Sequence, residues 1–142
     1  MIIRTAETGD AYSISRISCM ELGYECSEEF VLKRLNRLDS SKEAVFAALE
    51  DGMAVGFIHA EIYELLYYEP MVNILGIAVS SAYRRRGIGK ALMKKAEEWA
   101  KKSGINIIRL NSGAVRKDAQ EFYRSTGFDA EKEQICFTKS LE

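Results

Sequence analysis

Hydrophobic and polar positions follow two periods along the chain, and each period predicts one kind of element. Short apolar or alternating stretches predict strands, whereas apolar residues three or four positions apart predict amphipathic helices. The strand-like stretches are residues 2–6, 43–51, 53–68, 72–80, 106–112 and 133–141. The helix-like stretches are residues 8–23, 87–104 and 118–128, together with a helix that begins after Ser27. Their order predicts a single α/β (α+β) domain over residues 1–142.

Local signals within these stretches predict how the strands pair. The dipeptide Asp51-Gly52 lies between two strand-like stretches and is a strong signal for a hairpin turn. Residues 72–80 are too apolar for a half-exposed strand, so they are predicted to lie at the centre of the sheet. Residues 72–112 run strand, glycine loop, helix, strand, and this order predicts a parallel pair. We therefore expect a mixed, mostly antiparallel sheet.

Composition and charge exclude several classes of protein. The 142 residues are 47% hydrophobic and 29% charged, with a net charge of −1, so neither general nucleic-acid binding nor binding to an anionic membrane is indicated. No apolar stretch reaches the roughly 20 residues that a membrane helix needs. Three widely spaced cysteines do not form a disulfide framework, and they favour a cytoplasmic location. One histidine is too few for a metal site, so none is predicted.

The segment YRRRGIGKAL, residues 83–92, places three arginines and two glycines between a buried strand and a helix. Backbone N–H groups at a helix start lack partners and face the positive end of the helix dipole. Gly87 and Gly89 allow close approach of a ligand, so the segment is predicted to hold a phosphate. The alternative is a solvated basic turn. Position 91 is alanine and position 92 is leucine, which excludes the Walker loop and the dinucleotide fingerprint, respectively.

Two motifs carry a resemblance to a known family. Arg84-x-x-Gly87-x-Gly89 resembles the Arg/Gln-x-x-Gly-x-Gly/Ala signature of the GNAT superfamily, the acyl-CoA-dependent N-acetyltransferases. AQEFYRSTGF, from Ala119 to Phe128, resembles the second signature of that superfamily. The resemblance covers essentially the whole chain. It implies a sheet of about six to seven strands with about four helices, in which the fourth and fifth strands form a central parallel pair.

The resemblance also implies where acetyl-CoA binds. The glycine loop would hold the pyrophosphate, the fourth strand would pair with the pantetheine arm, and Gly76 would suit a bulge that opens a slot there. Arg116 stands where many relatives carry an asparagine that contacts CoA; it either reaches a phosphate or faces solvent, and Asn111 is a candidate for the missing contact. The implied cofactor-binding residues are Ile77, Ala78, Val79, Arg84, Arg85, Arg86, Gly87, Ile88, Gly89, Lys90, Asn111 and Arg116.

The resemblance implies catalytic roles for fewer residues than it implies for acetyl-CoA binding. Tyr123 matches the tyrosine that protonates the departing CoA thiolate, and the alternative is an aromatic core residue beside Phe122. Asn73 occupies the place of the general-base glutamate and cannot act as a base, which leaves Glu61, Glu64 and Glu69 as candidates. His59 is predicted to be structural.

The acceptor is predicted to be an amine. The segments that would border its pocket, residues 19–30 and 63–70, are rich in tyrosine and glutamate. The candidate acceptor-binding residues are Tyr24, Glu61, Tyr63 and Asn73. The predicted function is direct transfer of the acetyl group to a primary amine of a small molecule or peptide. Alternatives are a protein or peptide N-acetyltransferase and a catalytically silent acyl-CoA sensor. The exposed aromatic residues beside Leu65-Leu66 would also suit a homodimer surface.

Overall fold

A computed structural model describes residues 1–142 and contains five strands and four α-helices. The strands are β1 (Ile2–Thr5), β2 (Glu43–Glu50), β3 (Met53–Tyr63), β4 (Met71–Val79) and β5 (Ile108–Leu110). The helices are α1 (Ala11–Ile17), α2 (Glu28–Asn36), α3 (Ile88–Lys102) and α4 (Lys117–Ser125). Short 3-10 turns at Thr8–Asp10 and Ser81–Tyr83 and a π-helical turn at Ser18–Leu22 complete the regular structure. The chain divides into two compact units, Met1–Asn111 and Ser112–Glu142.

The first unit is built on one sheet with the strands in chain order, β1-β2-β3-β4-β5. All neighbours are antiparallel except β4 and β5, which are parallel. The Asp51-Gly52 turn joins β2 to β3 with both residues at positive φ, 50° and 80°. Ser27 begins α2 by accepting a hydrogen bond from the Phe30 amide at 3.0 Å. The predicted fold class, hairpin, helix cap and parallel pair are therefore confirmed, but the parallel pair lies at one edge of the sheet and not at its centre, because no strand follows β5 in the sheet.

The two faces of the sheet bury different helices. Val45, Phe57 and Ala78 face α1 and α2, where they form a core with Ile14 and Val31. Successive residues of a strand point to opposite faces, so Gly56 and Phe46 lie on the side of α3. A Cβ at Gly56 would lie 3.3 Å from Leu92 of α3 and 3.1 Å from the Ala78 carbonyl, so glycine allows close packing there. None of the helices is both long and apolar enough to cross a membrane.

The predicted count of six to seven strands is wrong, because the sheet has five. The sequence pattern predicts a strand at residues 133–141, yet residues 129–142 form neither helix nor strand. Its alternating apolar residues are exposed, Ile135 at 78% and Phe137 at 86%. Alternation predicts which side chains share a face, but a strand also needs a partner strand, and period alone does not supply one.

A partly buried ion pair joins β1 to the start of α1. Both terminal nitrogens of the Arg4 guanidinium donate to Asp10, at 2.7 and 3.1 Å, and the Glu7 amide donates to the same carboxylate at 2.8 Å. Burial raises the pKa of Asp10, but the hydrogen bonds from Arg4 and Glu7 and the charge of Arg4 together bring it below its ordinary value of 3.8. The charged carboxylate therefore stabilises the folded state.

We expect Asp10→Asn to lower the free energy of unfolding by about 2 kcal/mol at pH 7, because charge-assisted hydrogen bonds are lost. Folding lowers the pKa of Asp10, so its contribution is full above the unfolded pKa, declines below that value, and is lost as pH falls through the lower, folded pKa. The difference between variant and wild type should shrink below about pH 3.8. Urea unfolding at several pH values measures it. Asp51→Asn, in an exposed turn, is the control; equal losses from both variants would contradict the expectation.

Candidate active site

The glycine loop between β4 and α3 presents unpaired backbone donors. Gly87 precedes α3 and has a backbone φ of 78°, and the backbone of Arg85 is also in the left-handed region, with a φ of 64°. No side chain caps the start of α3, and its first bond runs from the Ala91 amide to the Gly87 carbonyl. The amides of Ile88, Gly89 and Lys90 therefore have no intrahelical partner. A helix start with free amides and nearby cations fits a pyrophosphate.

The three arginines of this loop differ in their contacts. Arg84 donates to Glu21 at 2.6 Å, and the other oxygen of Glu21 accepts the Ser81 amide at 3.1 Å. The Arg86 guanidinium lies 5.0 Å from the centroid of the Tyr83 ring. Arg85 forms no ion pair, and all three arginines are exposed. Arg84 therefore ties the loop to the π-helical turn after α1, whereas Arg85 and Arg86 remain the cations available to a phosphate.

The edge of β4 beside β5 is paired over only part of its length. The register with β5 covers Val72, Asn73 and Ile74, and Ile77, Ala78 and Val79 have no strand partner on that side. The bulge predicted at Gly76 is present: His59 pairs with Gly76 and Ala60 with Ile74, so Leu75 is the additional residue. An unpaired edge with free backbone groups fits an extended chain that adds as a strand, as predicted for the pantetheine arm.

A row of polar side chains crosses the sheet at the start of this unpaired edge. Glu61 of β3, Asn73 of β4 and Arg109 of β5 are direct register partners. Asn73 donates to Glu61 at 2.8 Å and accepts from Arg109 at 2.8 Å. Arg109 also donates to Asn111 at 3.1 Å, and its guanidinium lies 4.8 Å from the centroid of the Tyr63 ring. The structure thus brings together four of the predicted residues, namely Glu61, Tyr63, Asn73 and Asn111.

Tyr24 does not join this row. It follows the left-handed Gly23 at the end of the π-helical turn, where its amide donates to the Ser18 carbonyl at 3.3 Å and its side chain is 69% exposed. Glu64 and Glu69, proposed from the sequence as bases, lie exposed in the loop after β3 and form no ion pair. Of the three candidate carboxylates, only Glu61 lies in the row.

The second unit carries Tyr123 on α4. Its ring meets Phe122 and Phe128 edge-on, with centroids 5.5 and 5.9 Å away. Burial raises the pKa of Tyr123 above 10, while the positive charge of Arg116 opposes that shift. The phenol is therefore held as a proton donor at neutral pH. Arg116 is exposed at the start of α4, which agrees with the alternative that it faces solvent.

Sequence reasoning missed Glu21 and Arg109. Glu21 lies 63 positions before its partner Arg84, and Arg109 lies 36 positions after Asn73. Neither residue belongs to a motif, so the sequence contains no local signal for these contacts. They depend on which turn and which strand pack beside the loop and the sheet edge.

Comparison with known proteins decides the family. The model of the acetyltransferase (GNAT) family matches residues 11–128. The chain belongs to the GNAT family of acetyltransferases. This confirms the predicted family and its enzyme class, an acetyltransferase that depends on acetyl-CoA.

Individual relatives of this GNAT protein include both curated sequences and solved structures. An uncharacterized N-acetyltransferase of Methanocaldococcus jannaschii is 38% identical over 96 residues, which cover 66% of this chain and 42% of that protein. Aminoglycoside N(6')-acetyltransferase type 1 of Salmonella typhimurium is 28% identical over 104 residues, covering 70% of this chain and 71% of the enzyme. The crystal structure of an aminoglycoside acetyltransferase from an uncultured soil metagenomic sample matches with a TM-score of 0.82 and 25% identity, over 99% of this chain and 96% of that one.

Proposed function

We propose that this GNAT protein transfers the acetyl group of acetyl-CoA directly to a primary amine of a small molecule. The observation that carries the proposal is the continuity of three features in the first unit. The free amides of Ile88, Gly89 and Lys90 follow the unpaired edge of β4, and that edge begins beside the Glu61–Asn73–Arg109 row. The first two features suit a CoA chain, and the third offers a carboxylate to a cationic amine.

The proposed roles divide between binding and proton transfer. The amides at the start of α3, with Arg85 and Arg86, hold the pyrophosphate, and the backbone of Ile77–Val79 pairs with the pantetheine arm. The charge of Glu61 draws a cationic acceptor toward this part of the sheet. After the ammonium group has lost one proton, the amine nitrogen attacks the thioester carbonyl carbon, the C–S bond breaks, and Tyr123 gives its proton to the departing sulfur. The nitrogen then loses its second proton to solvent as the amide forms, and a proton from solvent restores the phenol of Tyr123. We assign the small-molecule acceptor by analogy with the aminoglycoside acetyltransferases among the relatives.

Thiol release from acetyl-CoA tests this function. We expect release above the hydrolytic background with at least one small amine in a panel of monoamines, polyamines, aminoglycosides and amino acids, with the acetylated product seen by mass spectrometry. Short peptides form a separate arm. Release with peptides alone would assign the protein to the peptide N-acetyltransferases, and tight binding of acetyl-CoA without release from any acceptor would assign it to the sensors.

A further inference from the structure

A cleft in the first unit lies between α1, α2 and the sheet, outside the polar row described above. Its volume is about 220 Å³, and it is partly open to solvent. A cavity of roughly 150 Å³ lined by apolar side chains is enough to hold benzene. The apolar residues that line the cleft include Ile14, Phe30, Val31, Leu35, Val45 and Phe57. The cleft can therefore take one aromatic ring or a branched alkyl group.

One end of the cleft is polar. His59 and Arg34 line it, and both contact the same oxygen of Glu43: His59 Nε2 lies 2.8 Å and Arg34 3.3 Å from Glu43 Oε1. When Nε2 donates to Glu43, the lone pair of His59 lies on Nδ1, which makes no hydrogen bond. A histidine oriented by a carboxylate in this way can accept a proton. The polar end thus offers a proton acceptor, His59, whose ring is held by Glu43.

Two β3 residues that line the cleft lie next to the stretch of β4 that we assign to the donor, although no β4 residue lines the cleft itself. Phe57 pairs with Ala78 and His59 with Gly76, and residues paired across antiparallel strands share a face. A Cβ at Gly76 would lie 4.0 Å from the Phe57 ring, so the absence of a side chain leaves space between cleft and strand. A group in the cleft would therefore place its amine at His59, beside the bulge of β4.

We propose that this cleft holds the body of the acceptor, and that the acceptor is a monoamine with a compact apolar body, either an arylalkyl or a branched alkyl group. This inference rests on the proposed function. The ammonium group lies at His59, where Nδ1 removes one proton and the freed nitrogen lone pair attacks the thioester carbonyl. A hydroxyl-rich polycation such as an aminoglycoside does not suit the cleft, because its polar groups would be buried without partners.

Direct binding and a cavity-filling variant test the location of the acceptor. Calorimetry should show that phenethylamine binds the full-length protein in the presence of CoA, and kcat/KM should be at least about 10-fold higher for phenethylamine than for kanamycin or spermidine. Cys26 lines the cleft and Cys19 does not, so Cys26→Phe should weaken phenethylamine binding by about 10-fold and Cys19→Phe should not. Equal effects of the two variants, or a preference for the polycations, would overturn the proposal.

A second experiment tests His59 as the proton acceptor. His59→Gln should lower kcat for phenethylamine by about 10-fold, because that amine is protonated at pH 7 and needs a base. Phenylhydrazine carries the same ring on a chain that is one atom shorter, and it is largely neutral at pH 7, so its kcat should change much less. A loss that is equal for both substrates would mean that His59 only supports the structure, and the base assignment would be withdrawn.

Failure of the inference is distinguishable from failure of the proposed function. If acetyl-CoA does not bind, or if thiol is released with none of the amines, the proposed function fails, whereas calorimetry still reports whether phenethylamine enters the cleft. If acetyl-CoA binds and thiol is released with other amines alone, the function stands and the monoamine inference is wrong.

Discussion

Replacing Gly89 with glutamate should lower the affinity for acetyl-CoA by on the order of 100-fold to 1,000-fold. A new carboxylate in the first turn of α3 would lie among the amides of Ile88, Gly89 and Lys90, where we place the pyrophosphate. Like charges about 4 Å apart repel by roughly 4 kcal/mol near a protein surface, and each 1.4 kcal/mol corresponds to about tenfold in affinity. The carboxylate would also accept hydrogen bonds from the amides that the phosphate needs.

The same substitution should not destabilise the protein, and this separates loss of the site from loss of the fold. Negative side chains in the first turn of a helix are favourable, because they face the positive end of the helix dipole. Thermal unfolding should therefore occur at an unchanged or slightly higher temperature, while calorimetry shows the loss of acetyl-CoA binding. Gly9→Glu makes the same chemical change outside the loop, at an exposed glycine where an added Cβ would meet no atom within 4 Å. Normal acetyl-CoA affinity in Gly89→Glu would refute the proposed pyrophosphate site.

Features of the fold that depend on a few neighbouring residues could be predicted from the sequence. Ser27 caps α2 through an amide three residues later, and Asp51-Gly52 adopts the positive φ angles that a tight hairpin requires. The glycine loop was also predictable, because its donors belong to consecutive residues at the start of α3. In each case the interacting groups lie within about one helical turn or one hairpin of each other, so spacing along the chain determines their geometry.

Contacts across strands could not be predicted in the same way. The Glu61–Asn73–Arg109 row depends on the register of three strands, and the bulge at Leu75 alters that register. His59 and Glu61 are two positions apart on β3, yet their partners on β4, Gly76 and Asn73, are three positions apart. A strict two-residue period along β4 would therefore assign Gly76 and Asn73 to opposite faces of the sheet. The pairing of His59 with Glu43 depends in the same way on the register of β3 with β2, which explains why the sequence indicated only a structural histidine.

Replacing Tyr123 with phenylalanine should lower kcat by about 100-fold, within the range typical of general acid catalysis, and leave acetyl-CoA affinity unchanged. Phenylalanine keeps the ring, so the edge-on contacts with Phe122 and Phe128 are preserved and only the proton donor is lost. Single-turnover kinetics measures the chemical step, and calorimetry measures binding. Tyr12→Phe, which removes an exposed phenol from α1, is the matched control and should retain full turnover. Unchanged kcat in Tyr123→Phe would exclude the phenol as the acid.

The pH dependence of kcat in the wild type and in Tyr123→Phe follows from the direction in which the pKa of Tyr123 is shifted. Burial raises the pKa of Tyr123 above 10, so the phenol is a weaker acid than an exposed tyrosine but stays protonated to higher pH. The ratio of wild-type to Tyr123→Phe kcat should therefore stay constant from pH 7 to about 10, and fall only above that pH as the wild-type phenol ionises. A ratio that falls toward one below about pH 9 would require a phenol with a lowered pKa, and that would contradict the buried, protonated acid. Because the variant has no phenol to ionise, any fall in its own rate over this range reports other groups, and the ratio removes their contribution.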